Sequence, residues 1–349
     1  MPSSLPTVAD VAQLAGVGAI TVSRVVNGNG YVADEKRKRV KAAIEKLGYR
    51  PNQAARILKG HKARMIGLIV PDLSDPFFGM CAAAVEEFAF ERGYMTLIVA
   101  SQRNEEVEKN EVDMMMSQNV AGLLIVPSHR NDRLKGLTSN GIPIVALDRP
   151  LEGVITDEVV VDNLGGARTA VEHLVWHGHT KIACIGYDKS FYSISQRILG
   201  YTNVLDKAGL RVALYDGAST PEAVAKIVHS WIGAKDRPSA VFSLNNVTTL
   251  RVLQPLKEAG LKIPDAIAIV GFDDFSLAPL LSPPLTAIRQ PAQVLGTQAA
   301  KLLFDHIENP EDDQERTTIK IVLPVEFIIR TSCGCGTGAS EARSHNLEG

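Results

Sequence analysis

From Met65 onward the chain alternates short β-rich runs with helical stretches, and this alternation constrains the fold more than any other feature of the sequence. The β-rich runs fall at 66–70, 96–100, 123–126, 144–147, 182–186, 240–244 and 268–270. Helical stretches at 77–92, 105–118, 166–176, 196–208 and 248–259 lie between them, several ending in glycine at Gly93, Gly178, Gly209 and Gly260. Strand, helix, strand in this order predicts an α/β chain of parallel sheets joined by right-handed crossovers. Roughly 270 residues of such texture exceed one usual sheet, so two doubly wound lobes are expected. The strands' carboxyl ends would face a shared cleft, where ligands bind in such folds. Hydrophobic residues make up 45% of the chain and aromatics only 5%, which suits an aliphatic interior.

The first 50 residues read differently, as three short helices. Thr7 suits an N-cap, and Val8, Val11, Leu14 and Ala15 fall on one helical face. Gly16-Val17-Gly18 breaks that helix, and a second over 19–27 turns Val22, Val25 and Val26 inward. After the loop Asn27-Gly28-Asn29-Gly30, a third helix starts near Asp34, carries a stripe of Val40, Ile44 and Leu47, and closes at Gly48. Lys36, Arg37, Lys38, Arg39 and Lys41 crowd its other face. The net charge of −2 hides a split, because residues 1–64 hold twelve basic against four acidic side chains while the rest holds 25 against 35. A basic head on an acidic body suits a polyanionic partner. Helix, glycine turn, helix, with a basic third helix, is the outline of a helix-turn-helix, whose second helix enters the major groove N-terminus first. In that frame Ala19, Ile20 and Arg24 face base edges, and Arg24 offers guanine a bidentate fork. Thr21, Ser23, Asn27 and Tyr49 are then placed to hydrogen-bond phosphates. Residues 52–58 have helical composition but are too short to hold a helix alone.

The stretches Thr7-Val8-Ala9-Asp10-Val11-Ala12, Ala15-Gly16-Val17, Thr21-Val22-Ser23-Arg24-Val25-Val26-Asn27-Gly28 and Gly48-Tyr49-Arg50-Pro51-Asn52 resemble the lactose-repressor/galactose-repressor (LacI/GalR) family of bacterial transcription regulators. The similarity continues to about Cys333. It implies a helix-turn-helix head over 1–50, a hinge helix and linker over 51–64, a two-lobed core over 65–332 like that of periplasmic binding proteins, and a flexible tail over 333–349. Lobe 1 would take about 65–161 and 292–323, and lobe 2 about 162–291 and 324–332. Thr7 and Asn52 join the DNA-facing set by this resemblance. Ala55 matches the small residue that lets paired hinge helices approach, and Leu58 matches the leucine that wedges into a base step of operator DNA. Gly18 departs from the pattern, standing where the family usually has Ser or Thr on a phosphate. The partners implied are double-stranded operator DNA with pseudo-palindromic half-sites, a second copy of the chain in a homodimer, and a small-molecule effector.

Pro71-Asp72-Leu73-Ser74-Asp75-Pro76-Phe77-Phe78 follows the first strand, where the family often has an Asn/Asp-Pro-Phe-Phe turn. Phe77 and Phe78 would open a helix at the cleft mouth, with a ring face to stack on a sugar or a base. The resemblance assigns effector hydrogen bonds to Asp148, Arg197, Asn245, Asp273 and Gln290, with Ser193 a lesser candidate. Carboxylates accept while amide and guanidinium groups donate, the mixture that vicinal hydroxyls require. Arg197 could equally pair with an effector carboxylate or phosphate. Asn246 stands where the family usually has Asp. The function expected is a repressor controlled by a sugar or sugar acid, with purine-type co-repression as the alternative.

Other classes find little support. The chain has no Gly-rich dinucleotide loop followed by an acid, no phosphate loop ending in Gly-Lys-Ser/Thr and no nucleophile elbow, so neither an enzyme nor a cofactor is expected. No signal-peptide pattern opens the sequence and no apolar run reaches the ~18 residues of a membrane span, which points to a cytoplasmic protein. His173, His177 and His179 lie within seven residues, the first two on one helical face, but no nearby acid or cysteine completes a metal set. Cys333-Gly-Cys335 in the polar tail could bind metal or oxidise, but its isolation favours an incidental role, and no metal is expected.

Overall fold

The computed structural model describes residues 6–27, 30–49, 64–128, 134, 141–310 and 317–336, so the hinge residues Asn52, Ala55 and Leu58 lie outside the described residues. The chain divides into two compact units, Met1–Ala63 and Arg64–Gly349.

In the head, α1 (Val8–Ala15) starts on a capping box, in which Thr7 Oγ1 accepts from the Asp10 N–H and the Asp10 carboxylate accepts from the Thr7 N–H at 2.7 Å. It ends at Gly16, whose φ of 63° lets the N–H groups of Gly16 and Val17 return to the carbonyls of Gln13 and Ala12. After α2 (Ala19–Asn27), α3 (Asp34–Leu47) closes in the same way at Gly48, with the Tyr49 N–H on the Ile44 carbonyl at 3.0 Å. Val11, Ala12, Ala15, Val22, Val40 and Ala43 fill the space between the three helices. Tyr49 joins them and is only 8% exposed. The residue after a left-handed glycine in this motif folds back onto the helix it has just left, and Tyr49 occupies that place.

The core holds two six-stranded sheets. The first consists of β1 (Met65–Val70), β2 (Met95–Ala100), β3 (Leu123–Ile125), β4 (Ile144–Leu147), β5 (Asp157–Val161) and β11 (Lys320–Leu323), in the order β11-β5-β4-β3-β1-β2 and parallel throughout. The second consists of β6 (Ile182–Ile185), β7 (Ala213–Tyr215), β8 (Ala240–Ser243), β9 (Ala268–Phe272), β10 (Thr286–Arg289) and β12 (Glu326–Ile328), in the order β12-β10-β9-β8-β6-β7. Its central strands are buried on both faces, as parallel strands covered by helices must be. Only β12 runs antiparallel, against β10. The chain leaves β11 at the carboxyl edge of the first sheet and enters the second sheet after two residues. A strand entering from that edge has to run opposite to its new neighbours.

Helices α4 (Pro76–Glu91), α5 (Glu105–Ser117) and α10 (Ala292–Glu308) cover the first sheet. Helices α6 (Asn163–Trp176), α7 (Tyr192–Ala208), α8 (Pro221–Trp231) and α9 (Asn246–Glu258) cover the second. Each lobe has one helix pair that closes on a glycine. A Cβ at Gly296 of α10 would lie 2.4 Å from the Cys81 carbonyl oxygen of α4, and one at Gly200 of α7 would lie 2.6 Å from the Leu164 carbonyl oxygen of α6. Backbone cannot yield as a side-chain end can, so these contacts fix both interhelical distances.

The chain beyond β12 stays in the second lobe. Ser332 Oγ accepts from the Thr286 N–H at 2.8 Å and donates to the Ile269 carbonyl at 2.7 Å, which draws the following residues inward. Cys333 is completely buried in that lobe's apolar cluster and Cys335 packs beside it. Residues 333–336, expected in a flexible tail, are therefore part of lobe 2. Among the described residues no single helix is long and apolar enough to cross a membrane.

Substituting Gly296→Ala should cost about 1–3 kcal/mol through overpacking. Gly79→Ala on the facing helix, where a Cβ meets nothing within 4 Å, should be neutral or gain up to about 1 kcal/mol. Urea denaturation of the two variants checks the contrast.

Candidate DNA-facing surface and effector cleft

On the head, α2 exposes Ala19, Ile20 and Arg24 while Val22 is completely buried, so the helix is anchored by one face and offers the other. Ile20 is 71% exposed and stands on the same outward face as Ala19 and Arg24. Thr21 and Ser23 are half-buried, and the side chain of Asn27 lies outside the described residues. The Thr7 hydroxyl donates to the Asp10 carboxylate at 2.7 Å, so its capping role engages it within the head. At the start of α2 the Gly18 carbonyl accepts from Thr21 and Val22, and the glycine supplies no side-chain acceptor. Lys36, Arg37, Lys38, Arg39 and Lys41 are all exposed along α3. Tyr31, 89% exposed in the α2–α3 loop, is an aromatic that the helical patterns did not single out.

In the core, polar side chains converge from the carboxyl ends of strands in both sheets. Asp148 follows β4 with φ 64° and Asp273 follows β9 with φ 71°, so each lobe holds a buried aspartate in the left-handed region. Such strain in a non-glycine residue persists where the surroundings enforce it, and ligand sites are common settings. Asp148 accepts from Arg149 Nε at 3.2 Å, and Arg149 also reaches the Pro127 carbonyl. Asp273 accepts from an Arg197 Nη at 3.2 Å and from the Gln290 amide. Arg197 further donates to Asn163 Oδ1 at 2.8 Å and to the Leu244 carbonyl at 2.6 Å, with its guanidinium 3.7 Å from the Phe272 ring centre. Burial pushes the Asp148 carboxyl up and raises Asp273 to about 6, Arg197 opposing the latter shift while Asp75 and Asp148 add to it.

The lobes also touch directly. Asp75 N-caps α4 by accepting from the Phe77 N–H at 3.1 Å, and the same oxygen accepts from Asn246 Nδ2 of the second lobe at 2.9 Å. An aspartate at 246 would face Asp75 as a like charge, whereas the amide donates to it. The Arg149 guanidinium lies 4.9 Å from the Phe191 ring centre and that of Arg103 lies 5.1 Å from Tyr187, two further contacts between lobes.

Asp148, Arg197, Asp273 and Gln290 are therefore brought together as expected from sequence. Ser193 is buried near the start of α7, and Asn245 spends its side-chain oxygen as the N-cap of α9, accepting from Thr248 at 2.7 Å. Phe77 and Phe78 depart from expectation. Both are buried in the first lobe's core, ring centres 5.1 Å apart, and neither offers a free face. Pro76 at the first position of α4 starts the helix so tightly that both rings pack with Val70, Leu124 and Leu295. The aromatic groups against the clustered guanidiniums are instead Phe272 and Phe191, with Tyr187 on the neighbouring Arg103. These, with Asp75, Arg149 and Asn163, were not singled out in the sequence; Arg149 carried a signal, since it adjoins Asp148.

A helix-turn-helix head joined to a two-lobed core with buried charged groups gathered between its lobes is the arrangement of a ligand-responsive DNA-binding regulator. Residues 7–52 match the family model for bacterial regulatory proteins of the lacI family, and residues 171–333 match that for a periplasmic binding protein-like domain. The chain is 31% identical over 333 residues to the HTH-type transcriptional repressor PurR of Photobacterium profundum, covering 94% of this chain and 98% of the relative. Among solved structures it resembles the lac repressor dimer bound to operator and the anti-inducer ONPF (27% identity, TM-score 0.83, 95% of this chain and 99% of that one). It also resembles the transcriptional regulator CelR in complex with cellobiose (30% identity, TM-score 0.67, 94% and 99%). The chain belongs to the LacI family of bacterial transcriptional regulators.

Asn246→Asp should lower stability by about 1–3 kcal/mol at pH 7, because a buried donor is replaced by a second carboxylate against Asp75. The deficit should shrink on acidification, since a protonated carboxyl can donate in the amide's place. Denaturant titrations at pH 7 and pH 5 check both statements.

Proposed function

We propose that the cleft takes a polyhydroxylated small molecule, a sugar or sugar acid, and that its occupancy controls the binding of a homodimer to a pseudo-palindromic operator. The observation that carries this reading is the pair of buried carboxylates, Asp148 from one lobe and Asp273 from the other. Asp75, Asp148 and Asp273 set three buried carboxylates against the two buried guanidiniums of Arg149 and Arg197, leaving negative charge in excess. Hydroxyl donors satisfy such an excess, and a sugar presents several within the span of one ligand. The Gln290 Oε1 atom, buried without a protein donor, is a further acceptor beside Asp273. The regulator structurally similar to this chain that holds cellobiose supports the same chemistry.

Occupancy matters to the head only through a difference in affinity between two arrangements of the lobes. A dimer places two copies of α2 about one duplex turn apart, with Ala19, Ile20 and Arg24 toward base edges and phosphates held by Thr21 and Ser23. Hinge residues Asn52, Ala55 and Leu58 would transmit the lobes' arrangement to the minor groove. The protein acts by binding rather than by catalysis.

A thermal-shift screen of the full-length chain against sugars, sugar acids and purines tests the cleft. A sugar or sugar acid should raise the melting temperature, and stabilisation by purines alone would overturn the reading. The affinity of the hit should fall as pH drops through about 6, where Asp273 takes up a proton and loses its strongest acceptor. The Asp273→Asn variant should bind more weakly and with a flatter pH profile, read by calorimetry. On DNA, Arg24→Ala should cost about 1–3 kcal/mol of preference for operator over random duplex in a gel shift; an unchanged preference would remove Arg24 from base readout.

A further inference from the structure

Helix α6 has two chemically distinct ends. Asn163 at its start holds Arg197 of the cleft. Ten residues on, about 15 Å along the axis, it carries His173 and His177 one turn apart. The segment that follows β12 returns to this far end and brings Cys333 and Cys335 with it. One nitrogen or sulfur atom from each of the four residues lies within 4.8 Å of all the others. Cys335 Sγ is 3.2 Å from His177 Nε2 and 3.6 Å from His173 Nε2, and the two imidazole ring centres are 4.6 Å apart. None of the four is exposed.

We propose that His173, His177, Cys333 and Cys335 form a tetrahedral Zn²⁺ site that ties the end of the chain's last β-segment to α6. Two imidazoles and two thiolates are a closed structural zinc set, and the mixture of nitrogen and soft sulfur donors favours zinc over calcium or magnesium. Zinc bonds of the usual length to nitrogen and sulfur imply donor separations of about 3.3–3.8 Å around the tetrahedron. The separations from Cys335 already fall close to that range, so small side-chain rotations would complete the shell. The surroundings suit a buried ion. Phe327 packs on His173 with ring centres 5.0 Å apart, Trp176 packs on His177 at 4.9 Å, and Thr286 Oγ1 lies 3.2 Å from Cys333 Sγ, placed to orient the thiolate. All four protein ligands are supplied, leaving no open position for substrate. The ion would act as a staple, holding 326–336 in place after the third crossing between the sheets.

The test is metal analysis of the full-length protein, expressed in zinc-supplemented medium and purified under reducing conditions without chelator. One zinc per chain is expected by mass spectrometry of the metal. Cobalt added to the metal-stripped protein should give the visible bands and near-ultraviolet charge transfer of a tetrahedral thiolate site. Cys335→Ser and His177→Gln should each reduce zinc to trace and abolish the cobalt spectrum. Both residues are only part-buried, so the variants should keep the far-ultraviolet circular dichroism spectrum of the parent chain, which verifies that they fold. Three results would each overturn the proposal: trace zinc with no cobalt spectrum in the parent protein, zinc retained in both variants, or a Cys333–Cys335 disulfide that persists under reductant in place of the two free thiols.

Discussion

A guanidinium taken out of water costs several kcal/mol unless its edges and faces find partners, and Arg197 is where this fold meets that condition most fully. Its partners come from three separate elements. Asn163 opens α6, Leu244 directly follows β8, and Asp273 directly follows β9. Phe272 takes one face of the group. The guanidinium therefore holds together the carboxyl ends of two strands and the start of a helix, which are the walls of the cleft in lobe 2. Asp273 can remain buried because Arg197 stands against it, and its left-handed backbone is sustained by the same packing.

Lobe 1 answers with a simpler device. Asp148 and Arg149 are neighbours in the chain and pair with each other, leaving the Arg149 guanidinium against Phe191 of the opposite lobe. The Asp75–Asn246 hydrogen bond adds a direct link. These contacts are mainly polar, with Val325 packed on both lobes' cores, whereas each lobe has a helix pair brought to backbone contact, at Gly296 and at Gly200. Motion between two stiff lobes across a polar seam is the natural soft mode of such a body, and a ligand that satisfies acceptors on both sides favours one position of that mode.

Most of the architecture was legible in the sequence because parallel strands and their helices leave strong periodic signals. The capping residue Thr7, the glycine stops and the aspartates after β4 and β9 could each be picked out by position. The weaker elements were not. β7 and β12 are three residues long and β11 has alternate positions more exposed at the sheet edge, while β5, β10 and α8 were also missed although β5 ends in three consecutive valines. Phe77 and Phe78 show the limit for side chains, since a pair of aromatics after a proline fits a cleft mouth and a core equally well until the helix is placed. Cys333 and Cys335 could not be joined to His173 and His177 from local pattern, because about 160 residues separate them and only the antiparallel entry of β12 brings them together.

The central claim is that one ligand is held at once by buried carboxylates from both lobes. A crystal structure of the full-length chain, with whichever metabolite stabilises it most, measures this directly. Hydroxyl groups of one ligand molecule should lie within hydrogen-bond distance of both Asp148 and Asp273, with Arg197 alongside. A ligand seated against one lobe only, or bound away from both carboxylates, would contradict it.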